Sequence, residues 1–227
     1  ATTSTPYNGA LQNNAAPTVV GLVGQDLSAG NGISVTGMSS GTNAGTYTDA
    51  LSVAAVGATQ LSNYNITKTN GVLTIAKLAA TVTGATTVDP YNGALQTNTY
   101  ATTGILSGDT ANVTIAGSAT ATHVSQGTVP DVFSVSGSAA GNYSFTYNSG
   151  SITITPVALS ISGANTTQVY NATTQTNTAA TVSGLKGGDT ATISGTYGAG
   201  KNVGTYADSL GVTLSNPSDY TVGVTNG

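Results

Sequence analysis

The chain has 227 residues and a net charge of −4, and its charged side chains are eight Asp and four Lys, with no Glu, no Arg and no Cys. At 5% charged residues against about 25% in ordinary soluble domains, it lacks the positive field that gathers phosphates, which excludes nucleic acid and anionic membrane surfaces as natural partners. The missing Cys excludes disulfides, thiolate metal sites and thiol catalysis, and 38% hydrophobic residues in alternating runs exclude disorder driven by charge.

In chain order, the first elements are short and strand-like: "APTVVGLV" (Ala16–Val23), "GISVTG" (Gly32–Gly37), "ALSVAAV" (Ala50–Val56) and "NYNITKT" (Asn63–Thr69), separated by Gly, Asn, Ser and Pro clusters. Thr, Val, Ile and Tyr dominate and Gly recurs every few residues, so no helix of any length is expected. The Thr69–Gly71 "TNG" lies between two alternating runs and predicts a hairpin, because Asn-Gly supplies positive φ at both turn positions. Beyond it "VLTIAKLAATVTG" (Val72–Gly84) changes hydrophobic phase: Leu73 and Ile75 are odd, Leu78, Ala80 and Val82 even. A slip near Lys77 swaps the buried face. The later stretch "ITITPVALSIS" (Ile152–Ser162) repeats the slip at Pro156, a residue tolerated where no ladder hydrogen bond is needed.

These features belong to an internal repeat. "ATTSTPYNGALQ" (Ala1–Gln12) recurs at Ala85–Gln96 and more loosely at Ala164–Gln175. A Gly-x-x-x-Gly-Asp-like turn ends at Asp26, Asp109 and Asp189, and the closing Tyr residues, Tyr64, Tyr143 and Tyr220, are 79 and 77 residues apart. A period of about 79 residues is too long for a solenoid coil of roughly 20–45 residues and suits small domains with their own cores. The expected architecture is all-β: tandem immunoglobulin-like β-sandwich modules of six or seven strands, covering 1–77, 78–156 and 157–227, joined end to end without a linker as an elongated rod. Three bodies and two junctions read as an excerpt of a longer array, and a signal peptide, if the protein has one, is expected to have been removed already.

The motifs resemble the glycine-rich, mostly-β repeat domains called MBG or YDG domains, found in large filamentous-haemagglutinin-like bacterial surface adhesins. "VYNATT", "GLKGGDTATISGTY" and "KNVGTYADSLGVTLSNPSDYTV" of the third module carry the resemblance, with "NAGTYTDALSV" (Asn43–Val53) of the first. Departures are Asn8, Asn92 and Asn171 where the family usually has Asp after the opening Tyr, and "THVSQGTVPDVFSV" in the second module. The resemblance implies a secreted, extracellular bacterial cell-surface protein with a structural or adhesive role, as a stiff stalk or fibre element. The alternatives are a filament subunit built by strand complementation between chains, or a glycan-binding module. Expected partners are neighbouring modules or chains and host or matrix glycans, with no membrane insertion.

No catalytic, cofactor-binding or metal residue is expected, and the chain reads as a non-enzyme: one His (His123), no Cys and no paired acids leave triads and acid/base pairs without parts. Asp26, Asp109 and Asp189 recur at one turn and Asp49 and Asp208 at another. One carboxylate per turn is read as a turn-former bonding its own backbone, since Ca²⁺ wants six to eight oxygens. Lys68, Lys77, Lys186 and Lys201 read as surface residues; with no Lys between Ala85 and Gly150, a shared Lys–Asn cross-link is not expected. The opening Tyr7, Tyr91 and Tyr170 and the closing Tyr64, Tyr143 and Tyr220 read as core anchors whose hydroxyls bond nearby backbone. Thr81, Thr83, Thr153 and Thr155 read as solvent-facing, and the sequons at Asn65, Asn112, Asn142, Asn165 and Asn171 as chance in an Asn- and Thr-rich chain.

Overall fold

A computed structural model describes all of residues Ala1–Gly227. The chain is all-β: short strands joined by turns and 3₁₀ segments, with no α-helix. Its contacts divide it into two compact units, the first made of Ala1–Val82, Thr102–Ala116 and Phe133–Asn148, the second of Thr83–Ala101, Gly117–Val132 and Ser149–Gly227. The second sequence repeat therefore contributes to both units.

In the first unit, Val72–Ala76 lies between Thr3–Pro6, to which it is parallel, and Gly45–Thr48, to which it is antiparallel. Gly32–Thr36 pairs with Ser52–Val56, Gln12–Asn13 with Ser40–Gly41, and Thr114–Ala116 with Ser134–Ser136, all antiparallel. The core gathers Tyr7, Leu73, Ile75, Ala80, Ala139 and Tyr143. The second unit repeats the plan: Ser151–Thr155 lies between parallel Thr86–Pro90 and antiparallel Thr128–Pro130. Val157–Ser162 lies between parallel Tyr220–Thr225 and antiparallel Thr181–Ser183. Ala191–Thr196 pairs with Ser209–Leu214, and the core gathers Tyr91, Ile152, Ile154, Leu159, Ile161 and Tyr220.

The phase slips are real changes of sheet. Ile152 and Ile154 are buried on one side of Pro156, Leu159 and Ile161 on the other, and the ladder partners change across the same residue. Pro fits because it brings no N–H to a ladder that stops there. Leu73 and Ile75, then Ala80 and Val82, are buried likewise around Lys77.

The structure corrects three readings. The Thr69–Gly71 turn does not close a hairpin: Val72–Ala76 pairs with Thr3–Pro6 and Gly45–Thr48, and at the next junction Ser151–Thr155 pairs with Thr86–Pro90 and Thr128–Pro130 rather than with the preceding strand Tyr143–Asn148. Neither Gly71 nor Gly150 has positive φ. Each Gly is there for close approach instead: an added Cβ would lie 1.4 Å from the Ala1 carbonyl oxygen at Gly71 and 1.9 Å from that of Ala85 at Gly150. Ala16–Val23 and Asn63–Thr69 form no strands, whereas the corresponding Thr181–Ser183 and Tyr220–Thr225 of the third repeat do.

Candidate functional site: two repeated carboxylate nodes

Each repeat contains a buried asparagine–aspartate clamp. In the first, Asn14 Nδ2 donates to both Asp49 carboxylate oxygens at 2.9 and 3.0 Å, and to the Ala1 carbonyl at 2.8 Å. The backbone N–H groups of Ser39 and Gly71 add bonds of 2.8 and 3.0 Å. In the second, Asn98 Nδ2 meets Asp131 at 3.1 and 2.9 Å and Ala85 O at 2.7 Å, with Ala119 N at 2.7 Å and Gly150 N at 3.0 Å from the carboxylate. In the third, Asn177 joins Asp208 and Ala164 O, and Gly198 N and Gly227 N complete the set. All three Asp side chains are buried. Hydrogen bonds that favour the ionised form hold Asp49 down to about 2, the amide of Asn14 first and the backbone N–H of Ser39 next. The backbone N–H of Gly198 leads the same effect on Asp208. The clamp ties the start of a repeat, through Ala1, Ala85 or Ala164, to the glycine that closes it, Gly71, Gly150 or Gly227. A carboxylate ringed by N–H donors offers its lone pairs to them, the opposite of an oxygen cage for Ca²⁺.

The second node joins consecutive repeats. Tyr7 of the first repeat and Tyr143 of the second both donate to Asp109 Oδ2, at 2.8 and 2.6 Å, and their rings meet edge to face with centroids 5.6 Å apart. The Tyr143 oxygen also accepts the Leu106 N–H at 3.1 Å, which aims it at the turn. The next junction reproduces this: Tyr91 and Tyr220 donate to Asp189 Oδ2 at 2.8 and 2.7 Å, the rings again 5.6 Å apart, and Lys186 N donates to Tyr220 at 2.9 Å. Burial, then the Asp109 hydrogen bond, pushes the Tyr143 hydroxyl up to about 12, and Tyr7, Tyr91 and Tyr220 are raised for the same two reasons. Burial pulls the Asp189 carboxyl upward, but bonds from Tyr220, Tyr91 and Asn216 outweigh it and leave the group below its usual value. A second contact accompanies each joint. The residue before the closing Tyr accepts a backbone N–H from the preceding repeat: Ala44 N to Asn142 Oδ1 at 2.8 Å, and Val124 N to Asp219 Oδ1 at 2.7 Å.

Tyr presentation is local chemistry. Asn8 Oδ1 accepts Ala10 N and Asn92 Oδ1 accepts Ala94 N, closing an Asx turn with Gly9 and Gly93 at φ 77° and 81°. Gln12 and Gln96 brace the loop from below through Pro6 O and Pro90 O.

The joint is half-built at two places. Asp26 carries its closing partner, Tyr64 at 2.5 Å, and Thr59 at 2.8 Å, with no opening Tyr. Those two hydroxyls, Tyr64 first, lower the Asp26 carboxyl. Tyr170 has no aspartate partner and is 56% exposed, against 5% for Tyr7 and 3% for Tyr91. Thus the rings of Tyr7, Tyr91, Tyr143 and Tyr220 are core anchors, whereas Tyr64 is half-buried and Tyr170 exposed, and the four anchoring hydroxyls donate to aspartates rather than to nearby backbone. The turn-former reading is also corrected: Asp26, Asp109 and Asp189 accept side-chain hydroxyls from elsewhere in the fold rather than their own backbone.

His123 stacks on Tyr91 and its Nδ1 lies 2.6 Å from Asp219, an ion pair when the ring is protonated. All four Lys are exposed. Of the four threonines read as solvent-facing only Thr83 is exposed; Thr81, Thr153 and Thr155 are half-buried, the Thr153 hydroxyl 2.9 Å from that of Thr128, and the Asn142 sequon is buried. Asn14, Asn98 and Asn177 escaped sequence reasoning, although a Gln-x-Asn pattern (Gln12, Gln96, Gln175) recurs thirteen residues into each repeat. Asp131 escaped because the segment that carries it, "THVSQGTVPDVFSV", departs from the Gly-Thr-Tyr-x-Asp pattern that leads into Asp49 and Asp208.

No family model, curated protein or solved structure matches this chain.

Proposed function

We propose that this chain is a structural, non-enzymatic segment of a secreted bacterial cell-surface protein: tandem immunoglobulin-like modules of the MBG/YDG type acting as a stiff stalk. The observation that supports it best is the repetition of one inter-repeat joint, Tyr7–Asp109–Tyr143 and then Tyr91–Asp189–Tyr220, with the same distances and ring geometry. A carboxylate shared by phenols from two consecutive repeats restricts hinge motion at a junction that already lacks a spacer. The rest of the polar inventory serves internal bonding: each buried Asp has its donors, and no buried side-chain polar atom lacks a partner. An exported repeat protein with few Lys and Arg suits an extracellular surface.

Small-angle scattering of the wild-type chain and of a Tyr7→Ser/Tyr91→Ser double variant tests the reading. The wild type is expected to fit one extended rigid particle, and the double variant to need a broader distribution of dimensions. A wild type that itself behaves as flexible beads, or a variant with unchanged scattering, overturns the stalk.

A further inference from the structure

We propose that the joint between the second and third repeats is proton-responsive: protonation of His123 completes an ion pair with buried Asp219 that tightens this joint, while the joint between the first and second repeats, which holds a neutral amide pair in the same place, does not respond. What this means for a stalk rests on the reading proposed above; the pairing itself does not.

The two places correspond residue by residue. Asn43 lies two residues beyond the short strand Ser40–Gly41, and His123 two residues beyond its counterpart Thr120–Ala121. Asn142 and Asp219 each precede a closing Tyr. At the first joint Ala44 N donates to Asn142 Oδ1 at 2.8 Å, and Asn142 Nδ2 donates to Asn43 Oδ1 at 3.2 Å. At the second, Val124 N donates to Asp219 Oδ1 at 2.7 Å, and His123 Nδ1 stands 2.6 Å from Asp219 Oδ2. The backbone bond is thus kept, and the side-chain pair is exchanged whole. The other residues at these positions, Asn63 before Tyr64 and Asn202 beyond Ala199–Gly200, are amides too. The single His of the chain and the one acid that precedes a closing Tyr therefore meet each other. Two unrelated replacements have no reason to fall on the same joint.

The exchange changes what the pair requires. Two amides satisfy each other without charge, whatever the pH. A carboxylate can only accept, and Asp219 is 1% exposed, where an ionised group without a counter-charge is costly. The imidazole is 37% exposed, so protons reach it from solvent. Imidazole is the side chain whose charge changes between about pH 5 and 8. With the ring protonated, the contact to Asp219 becomes a charge-assisted bond. Nothing packed around the ring opposes its positive charge. Tyr91 stacks on it with centroids 5.8 Å apart, a face that attracts a cation, and the Tyr91 hydroxyl leads on to Asp189, which Tyr220 shares. Asp89, two residues before Tyr91, is half-buried, Ser151–Thr155 beside the Val124–Gln126 turn has no titratable side chain, and all four Lys are exposed. The sign follows: the contribution is present with the ring protonated and is lost as pH rises through its titration. One joint of a stalk would then stiffen on acidification while its neighbour stays as it is.

Amide exchange reads both joints in one sample, because local opening exposes the Val124 N–H at the second and the Ala44 N–H at the first. Rates are expressed as protection factors, so that the intrinsic pH dependence of exchange cancels. Between about pH 5.5 and about pH 8, the window of imidazole charge, Val124 is expected to lose protection by about fivefold or more and Ala44 to change by less than about twofold. In the His123→Asn/Asp219→Asn double variant, which copies the Asn43–Asn142 pair, the two amides should behave alike. His123→Gln keeps a neutral donor beside Asp219 and should hold Val124 near its pH 8 level throughout. Protection of Val124 that is independent of pH in the wild type, that falls in step with Ala44, or that still depends on pH in either variant overturns the proton-responsive joint. None of these outcomes bears on stiffness at a fixed pH, so the stalk reading is decided separately by scattering.

Discussion

The clamp and the joint are built from the same parts, an aspartate whose oxygens collect hydrogen bonds, yet they serve different levels of the molecule. The clamp is complete three times because all its members, Asn14 with Asp49, Asn98 with Asp131, Asn177 with Asp208, come from one repeat. The joint is complete twice because it needs a Tyr from one repeat and an Asp from the next, and it stands half-made at Asp26 and at Tyr170. Completeness therefore separates what makes a repeat fold from what makes repeats cohere. It also explains why the clamp donors are mostly backbone N–H and amide groups, set by the local chain path, whereas the joint uses long phenols that can reach.

The largest effect is expected at the clamp. Asp131→Ala leaves Asn98 Nδ2 and the N–H groups of Ala119 and Gly150 facing a buried space with no acceptor. At about 1–3 kcal/mol for each of the three stranded donors, the loss is about 3–9 kcal/mol, read from urea denaturation. Asp109→Ala should cost less, because Asp109 is only half-buried, whereas Asp131 is 3% exposed. A joint variant that proves more damaging than the clamp variant would reverse the ranking of the two nodes.

The two nodes should share an acid decline, and the joint should add an alkaline one. Asp49 is depressed from 3.8 to about 2, and Asp26, Asp189 and Asp208 are lowered. A depressed acid stabilises the fold above its unfolded value and loses that contribution as pH falls through the folded one, so an acid decline is expected between about pH 4 and 2. The tyrosines run the other way. Tyr143 is raised from 10.0 to about 12, so its neutral form is favoured by folding. Its contribution is whole below pH 10 and is lost as pH climbs toward 12. Melting temperature against pH should show a plateau between the two declines. Tyr7→Phe should reduce the alkaline decline; an unchanged alkaline side would mean that the Tyr7 hydroxyl is not held neutral on Asp109.

How much of this was legible in the sequence follows from what each signal encodes. Hydrophobic phase encodes which face is buried, so Leu73, Ile75, Leu159 and Ile161 and the slips at Lys77 and Pro156 could be read directly. Ladder partners are not encoded that way: Asn70-Gly71 has the composition of a hairpin turn, but tertiary contact with the Ala1 carbonyl decides its conformation. The recurrence of Asp26, Asp109 and Asp189 marked the joint without revealing its chemistry, since the Tyr7–Asp109 bond spans 102 residues. Asn14, Asn98 and Asn177 were hidden by the abundance of Asn in the chain.

A smaller effect contrasts a filled with an unfilled joint. Tyr7→Phe removes one hydrogen bond to a carboxylate, which is worth about 1.5–3 kcal/mol. Tyr170→Phe, at an exposed ring with no aspartate partner, should fall within about 0.5 kcal/mol of wild type. Urea midpoints of the two variants decide it. Equal losses would mean that Tyr170 is engaged in solution.

The smallest effect concerns the loop that presents the opening Tyr. Gly9 and Gly93 hold φ of 77° and 81°, and the matching residue of the third repeat is Ala172 at φ 64°, the one non-glycine residue with positive φ in the chain. The Asx turn forms there too, with Asn171 Oδ1 accepting Thr173 N at 3.0 Å, so the side-chain hydrogen bond holds Ala172 in a conformation its Cβ disfavours. That conformation costs an L-residue about 1–2 kcal/mol. Ala172→Gly removes the strain but gives the unfolded chain more freedom, which takes back about 0.4–1 kcal/mol. The net expectation is a gain of about 0.5 kcal/mol, a small rise in urea midpoint with no change in slope. Ala172 is exposed and touches no joint partner, so packing adds nothing to either side of the balance. The sign therefore reports on backbone conformation alone: a loss of stability would mean that Ala172 does not hold positive φ in solution, and that the third loop is not preset in the geometry by which Tyr7 and Tyr91 reach their aspartates.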